Sequence, residues 1–224
     1  MTACAACGGK TSPLWRDRDS VPWHRCMACG SDTSESLYDA MAYGAGYVAT
    51  LMADEGGTEE IAFSNHVHNR ELFERFRRTP GRFLDVGTGH GASQRVMAAA
   101  GWECHGWDIS GGGRPPGTFV SPAFSPDAVR GPYDAVLARE VWEHVVNPVG
   151  LLEGLAAVLA NGGLLQITTP RPTGFAHANV YRIEHLSCWS PPKLREAVSA
   201  AGLHVLHHET WRLGQRVVAA RREA

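Results

Sequence analysis

The chain of 224 residues lacks a basic excess: 21 lysines and arginines stand against 23 aspartates and glutamates, a formal charge of −2. A protein that tracks a phosphate backbone normally carries a net basic surface, so nucleic acid is not the expected partner. No apolar run approaches membrane-spanning length. The first residues, Met1-Thr-Ala-Cys4, lack the charged and apolar regions of a secretion signal. A cytoplasmic chain with no membrane partner is expected. Internal repeats and low-complexity tracts are also missing, and 44% hydrophobic with 20% charged residues is ordinary for a folded domain. The length admits one α/β domain plus a small appendage.

In a cytoplasmic chain the six cysteines point to metal ligands or buried thiols rather than disulfides. Four of them form two knuckles, Cys4-x-x-Cys7 and Cys26-x-x-Cys29, each followed by a glycine and separated by 18 residues. That spacing falls within the range of a tetrahedral Cys4 zinc site. The glycines, Gly8 and Gly30, let the backbone turn so that its amides face the sulfurs. The segment between the knuckles contains Pro13 and Pro22 with mixed polarity and cannot build a core alone, so a metal would supply its folding energy. No histidine and no open position accompany the four thiols, which makes the zinc structural rather than catalytic.

Two helical segments are expected next, Ser36–Met52 and Thr58–Arg78. Thr58 can cap the second, Arg75, Arg77 and Arg78 suit its last turn, and Pro80-Gly81 stops it. Tyr43-Gly-Ala-Gly-Tyr47 reads as a movable flap, and His66 and His68 read as packing or surface residues. The remainder alternates: strand 82–86, helix 92–100, strand 103–107, a weak strand 118–120, strand 133–138, helix 149–160, strand 164–168, helix 192–201 and closing strands 203–208 and 214–220. Asn161-Gly162-Gly163 would close the helix before it. Such alternation means an α/β sheet with helices on both faces. Three regions follow: a ribbon over 1–32, a helical cap over 33–80 and a sheet domain over 81–224.

Chemistry concentrates at the first strand of that sheet. Arg82–Val86 runs into a turn with glycine at 87, 89 and 91, and the next strand ends on Asp108. A glycine turn lets a ligand approach bare backbone, and the amides of the following helix suit a carboxylate or phosphate. Asp108 can accept both hydroxyls of a ribose, and Asp85 lies inside the first strand end. A dinucleotide oxidoreductase fits less well, because the Gly-x-Gly-x-x-Gly spacing is missing.

Leu84-Asp-Val-Gly-Thr-Gly-His-Gly91 resembles the first motif of class I S-adenosylmethionine-dependent methyltransferases. Tyr133-Asp-Ala-Val-Leu137, Glu140-Val-Trp-Glu-His144 and Leu159-Ala-Asn-Gly-Gly-Leu-Leu165 are similar to later signatures of that family. The resemblance implies a Rossmann-like methyltransferase sheet of order 3-2-1-4-5-7-6 with strand 7 antiparallel. It also implies S-adenosylmethionine as cofactor, held by Gly87, Gly89, Gly91 and Asp108, with Asp85 organising the loop and Arg139 a further cofactor contact. The stretch that usually supplies an acid to adenine has only Asp127 here, and Phe119–Phe124 is the alternative cover.

The transfer needs alignment and, for a protonated acceptor, a base. His144 follows the fourth strand at the sheet's carboxyl edge and is one candidate. His185, in a Glu184-His-Leu-Ser-Cys-Trp-Ser190 stretch similar to an element of small-molecule methyltransferases, is the other. The triplet Glu140, Glu143 and His144 resembles the metal-holding triplet of quinone O-methyltransferases, so a divalent metal there is an alternative to a structural role. Trp142, Trp189, Tyr43 and Tyr47 are candidate walls of an acceptor pocket. The expected function is methylation of a small-molecule acceptor in bacterial secondary metabolism. The competing readings are a zinc-ribbon RNA base methyltransferase and a non-catalytic ribbon protein.

Overall fold

The computed structural model describes residues 2–36, 59–77, 79–109, 116–121 and 123–222. The expected helix Ser36–Met52, the flap with Tyr43 and Tyr47, the Thr58 cap and most of the 33–80 cap region lie outside them.

Three short antiparallel strands open the chain: β1 (Thr11–Arg16), β2 (Pro22–Cys26) and β3 (Asp32–Ser34). Helix α1 (Glu59–Phe76) follows. The sheet domain then runs β4 (Arg82–Val86), α2 (Ala92–Ala99), β5 (Glu103–Asp108), β6 (Thr118–Val120), β7 (Tyr133–Arg139), α3 (Pro148–Ala157), β8 (Leu159–Pro170), β9 (Ser187–Cys188), α4 (Pro191–Ala200), β10 (Leu203–Thr210) and β11 (Gly214–Arg221).

Seven strands form the main sheet in the order β10-β11-β8-β7-β4-β5-β6. Strands β6, β5, β4, β7 and β8 are mutually parallel, and β11 is antiparallel to both β8 and β10. Counted from β4 as the first strand, this is the expected 3-2-1-4-5-7-6 sheet. Successive residues of a buried strand feed opposite faces. Thus Phe83 joins Phe73, Met97 and Trp102 under α1 and α2, while Leu84 joins Leu152, Leu155 and Leu194 under α3 and α4.

Asn161-Gly162-Gly163 does not close α3. The helix ends at Ala157, and the three residues lie within β8 as an irregularity where the register against β7 jumps from Tyr133↔Leu159 to Ala135↔Leu164. Gly162 has φ of 69°, and a Cβ at Gly163 would sit 2.8 Å from the Tyr133 carbonyl oxygen, so both glycines serve close backbone approach.

The ribbon is not a free appendage. Strand β9, which belongs by sequence to the sheet domain, pairs antiparallel with β3 (Asp32↔Cys188, Thr33↔Ser187), giving a second sheet in the order β1-β2-β3-β9. Trp23 packs with Val180, Tyr181 and Cys188 in a shared small core.

Candidate active site

The carboxyl ends of β4, β5, β7 and β8 carry the site. After Val86 the chain turns through Gly87, Gly89 and Gly91, whose φ angles of 73°, 53° and 72° are all left-handed. The turn is clamped to β5: the amides of Gly87 and Thr88 donate to the Trp107 carbonyl at 2.8 and 3.2 Å. The Gly89 amide donates to Asp108 Oδ2 at 3.2 Å. A Cβ at Gly87 would lie 2.4 Å from Val141 Cγ2, so the loops after β4 and β7 touch there and only glycine fits. Helix α2 starts behind the turn with no side-chain cap, leaving its first amides for a ligand.

Asp85 is buried below the turn; burial and the Asp108 charge push its carboxyl well above the usual range, with Arg139 opposing. His66 on α1 reaches the same place. Its Nδ1 lies 2.8 Å from Ser93 Oγ, and burial with the charges of Arg139 and Arg95 holds it near 4, hence neutral. The sequence reading missed this role. The signal was the spacing: His66, Asn69, Leu72 and Phe73 are all buried, three or four residues apart, on one face of α1.

The other side of the cleft is built around the segment after β7. Glu140 breaks from the strand with φ of 52°. The residue as a whole is exposed, while its carboxyl meets that of Glu143 and burial raises it above its ordinary range. Glu143 is fully buried; Oε2 accepts from Thr169 Oγ1 at 2.9 Å, and burial with the Glu140 charge pushes the carboxyl well upward. His144 and His185 meet edge to face with ring centres 4.8 Å apart. Each Nδ1–H donates to a backbone carbonyl, His144 to Glu184 at 3.0 Å and His185 to Val180 at 2.8 Å. Those bonds assign the Nδ1–H tautomer to both rings. Burial lowers His144 to about 4, and burial with the neighbouring His144 lowers His185 to about 3, so both are neutral at pH 7.

Beside the expected triplet of Glu140, Glu143 and His144, in which the Glu140 and Glu143 carboxyls meet, a second donor group forms. Glu143, His144 and His185 each offer one donor atom within 4.8 Å of the others. Trp142 and Trp189 are not pocket walls: both are fully buried, edge to face at 5.0 Å, in the core under α3 and α4. Of the adenine-cover candidates, Phe124 packs edge-on to Trp107 at 5.4 Å and Phe119 stacks on His105 at 6.0 Å.

The four ribbon cysteines converge. Sulfur separations are 3.7 Å for Cys4–Cys29, 3.6 Å for Cys7–Cys26 and 3.5 Å for Cys7–Cys29. A tetrahedral zinc with sulfurs about 2.3 Å away needs them about 3.8 Å apart, so the set fits zinc and is too open for disulfides. Against burial, the amides of Cys29 and Ala28 bring Cys26 down to about 7, while burial drives Cys4 up to about 12. Lys193 at the start of α4 adds positive charge beside Cys7 and Cys29.

Residues 59–208 match the family described as "Methyltransferase domain". No curated protein matches the sequence. Among solved structures, the Burkholderia thailandensis 1,6-didemethyltoxoflavin-N1-methyltransferase, with 1,6-didemethyltoxoflavin and S-adenosylhomocysteine bound, is similar at a TM-score of 0.64. It has 15% identity, over 95% of this chain and 100% of that one. An O-methyltransferase family protein from Burkholderia thailandensis gives 0.62 at 13% identity over 95% and 65%. The magnesium protoporphyrin IX methyltransferase of Synechocystis, with S-adenosylhomocysteine bound, gives 0.51 at 15% over 77% and 99%. At these identities the likeness is one of fold.

Proposed function

The chain belongs to the methyltransferase-domain family, and we propose that it transfers the methyl group of S-adenosylmethionine to a small-molecule acceptor, with a buried imidazole receiving the acceptor's proton. The pair His144 and His185 carries this reading. Both are neutral and both have Nδ1–H spent on backbone, which makes Nε2 the basic atom that would take a proton from an acceptor hydroxyl, amine or acidic carbon.

On the cofactor side the Gly87–Gly91 turn and the first amides of α2 suit the methionine part, and Arg139 suits its carboxylate. Asp108 suits the ribose hydroxyls, and Asp85 organises the loop. A neutral His66 next to Arg139 adds no second charge there. S-adenosylmethionine supplies a methyl already activated by its sulfonium. As the acceptor–carbon bond forms, the carbon–sulfur bond breaks and sulfur keeps the electron pair. The acceptor proton goes to Nε2 of His144 or His185. The protein's contribution is alignment and a dry proton acceptor.

Three observations support a small acceptor over RNA. The imidazoles are recessed rather than displayed on a surface. The ribbon's charges are partly used internally, Arg25 on Asp32 and Arg18 on Asp19, which weakens any cationic track. The methyltransferase of similar fold that holds its acceptor holds a small heterocycle. Bacterial secondary metabolism is the setting we propose on the same grounds.

A divalent metal is a second reading, favoured by the buried Glu143 Oε1, which has no hydrogen-bond partner and lies 3.9 Å from His144 Nε2. Glu143, His144 and His185 would hold such an ion, and it would supply Lewis acidity toward the acceptor. The ribbon cysteines would hold structural zinc.

The test is incubation with methyl-labelled S-adenosylmethionine and, in separate arms, a low-molecular-weight bacterial extract and total RNA. Label should enter the small-molecule fraction and vanish with His144→Ala plus His185→Ala. Label in RNA, or full turnover in that double variant, would overturn the acceptor class or the proton assignment respectively.

A further inference from the structure

The segment that fixes the two imidazoles is itself held by the ribbon. Leu186 is the joint: its amide donates to the Glu143 carbonyl at 2.7 Å, and its carbonyl accepts the Ser34 amide at 3.0 Å. One residue therefore ties β3 of the ribbon to the segment carrying Glu143 and His144. Next to it, β9 adds to β3 as a fourth ribbon strand.

Tyr181 makes a second tie. Its buried ring sits between Trp15 and Trp23, edge-on at 4.7 and 4.9 Å. Its hydroxyl donates to Asp32 Oδ2 at 2.7 Å and accepts the Thr173 amide at 3.0 Å. Asp32 is fully buried and held by both arms of Arg25 at 2.8 Å, and the same guanidinium donates to the Thr173 carbonyl at 2.8 Å. A buried carboxylate with three charge-assisted hydrogen bonds, two from Arg25 and one from Tyr181, fixes geometry strongly. A third tie reaches the cysteine cluster directly: Ser190 Oγ donates to the Cys29 carbonyl at 2.6 Å, and its amide donates to Ser31 Oγ at 2.9 Å.

Between these ties lie Val180 and Glu184, whose carbonyls set the rings of His185 and His144. We propose that the cysteine ribbon is a positioning part of the transfer site, with Tyr181 and Asp32 as positioning residues that hold the 180–190 segment and through it both imidazoles. The inference rests on the reading of His144 and His185 given above. Metal in the ribbon then matters beyond the ribbon's own folding. The four thiols close the knuckle from which Ser190 and β3 hold that segment.

The test uses the full chain and needs no acceptor. Diethyl pyrocarbonate labelling of His144 and His185 is followed by peptide mass spectrometry against exposed His68, with S-adenosylhomocysteine affinity measured calorimetrically in parallel. Tyr181→Phe removes one hydroxyl and keeps the ring between the tryptophans. It should speed labelling of His185 about tenfold, the worth of one hydrogen bond to a charged group, with cofactor affinity within about twofold. Stripping the ribbon with a thiol-directed mercurial and chelator should act in the same direction. Unchanged labelling in both samples would overturn the proposal. So would a parallel loss of S-adenosylhomocysteine affinity, which would mean general unfolding. If labelling responds while the histidine variants keep turnover, the proton-acceptor reading fails and the mechanical coupling stands.

Discussion

The two sides of the cleft are constructed differently. The glycine side takes its turn and the flanking Asp108 from one stretch, 82–108, with Arg139 of β7 and His66 of α1 beside it. The imidazole side is collected from the segment after β7, from Thr169 on β8, from the 173–190 segment and from the ribbon more than 140 residues earlier, as the Arg25–Thr173 and Tyr181–Asp32 bonds show. The first side is polar and shaped by left-handed glycines; the second is largely buried, with two carboxyls pushed up and two imidazoles pushed down. Backbone recognition needs only a local turn. The imidazole pair needs distant segments to hold its rings, and their burial keeps both neutral while lowering their basicity.

Gly87→Ala should abolish S-adenosylhomocysteine binding, at least about a hundredfold by calorimetry. Roughly 1–2 kcal/mol of left-handed strain adds to the clash with Val141, which also shifts the loop carrying Glu140. Asp108→Ala should weaken the same ligand about ten- to a hundredfold, the worth of hydrogen bonds to a charged acceptor, leaving urea stability nearly unchanged.

His66 tests whether the cap helix contributes to the cofactor side through a buried neutral group. Folded His66 stays neutral down to about 4, whereas an unfolded histidine titrates near 6.5. The unfolded chain therefore binds more protons between those values, so this contribution to stability is present above 6.5 and is lost as pH falls toward 4. Between pH 7 and pH 5 it amounts to about 2 kcal/mol. Urea midpoints for His66→Gln should show that much less slope than the parent protein. The smallest expected effect sharpens the glycine side: Gly89→Ala meets no atom within 4 Å, so only left-handed strain remains, about 1 kcal/mol or roughly fivefold in cofactor affinity.

The same division explains what could be read without coordinates. The β4 turn, Asp108, the sheet order and the cysteine knuckles were legible because each is a short pattern with its own mechanism. Strand β9 was not, since two residues carry no periodicity and their strand character comes from pairing with β3. Trp142 and Trp189 read as pocket aromatics because burial of a tryptophan depends on which face its loop presents. His185 joins Glu143 and His144 from a later segment of the chain, a juxtaposition no local pattern announces.

The most direct measurement is a side-by-side calorimetric titration of S-adenosylhomocysteine into the parent chain, Gly87→Ala and His185→Ala. One-to-one binding to the parent, loss in Gly87→Ala and affinity within about threefold in His185→Ala is the predicted result if the glycine side holds the cofactor and the imidazole pair does not. Equal loss in both variants, or no binding to the parent chain, would contradict a cleft with separate cofactor and acceptor sides.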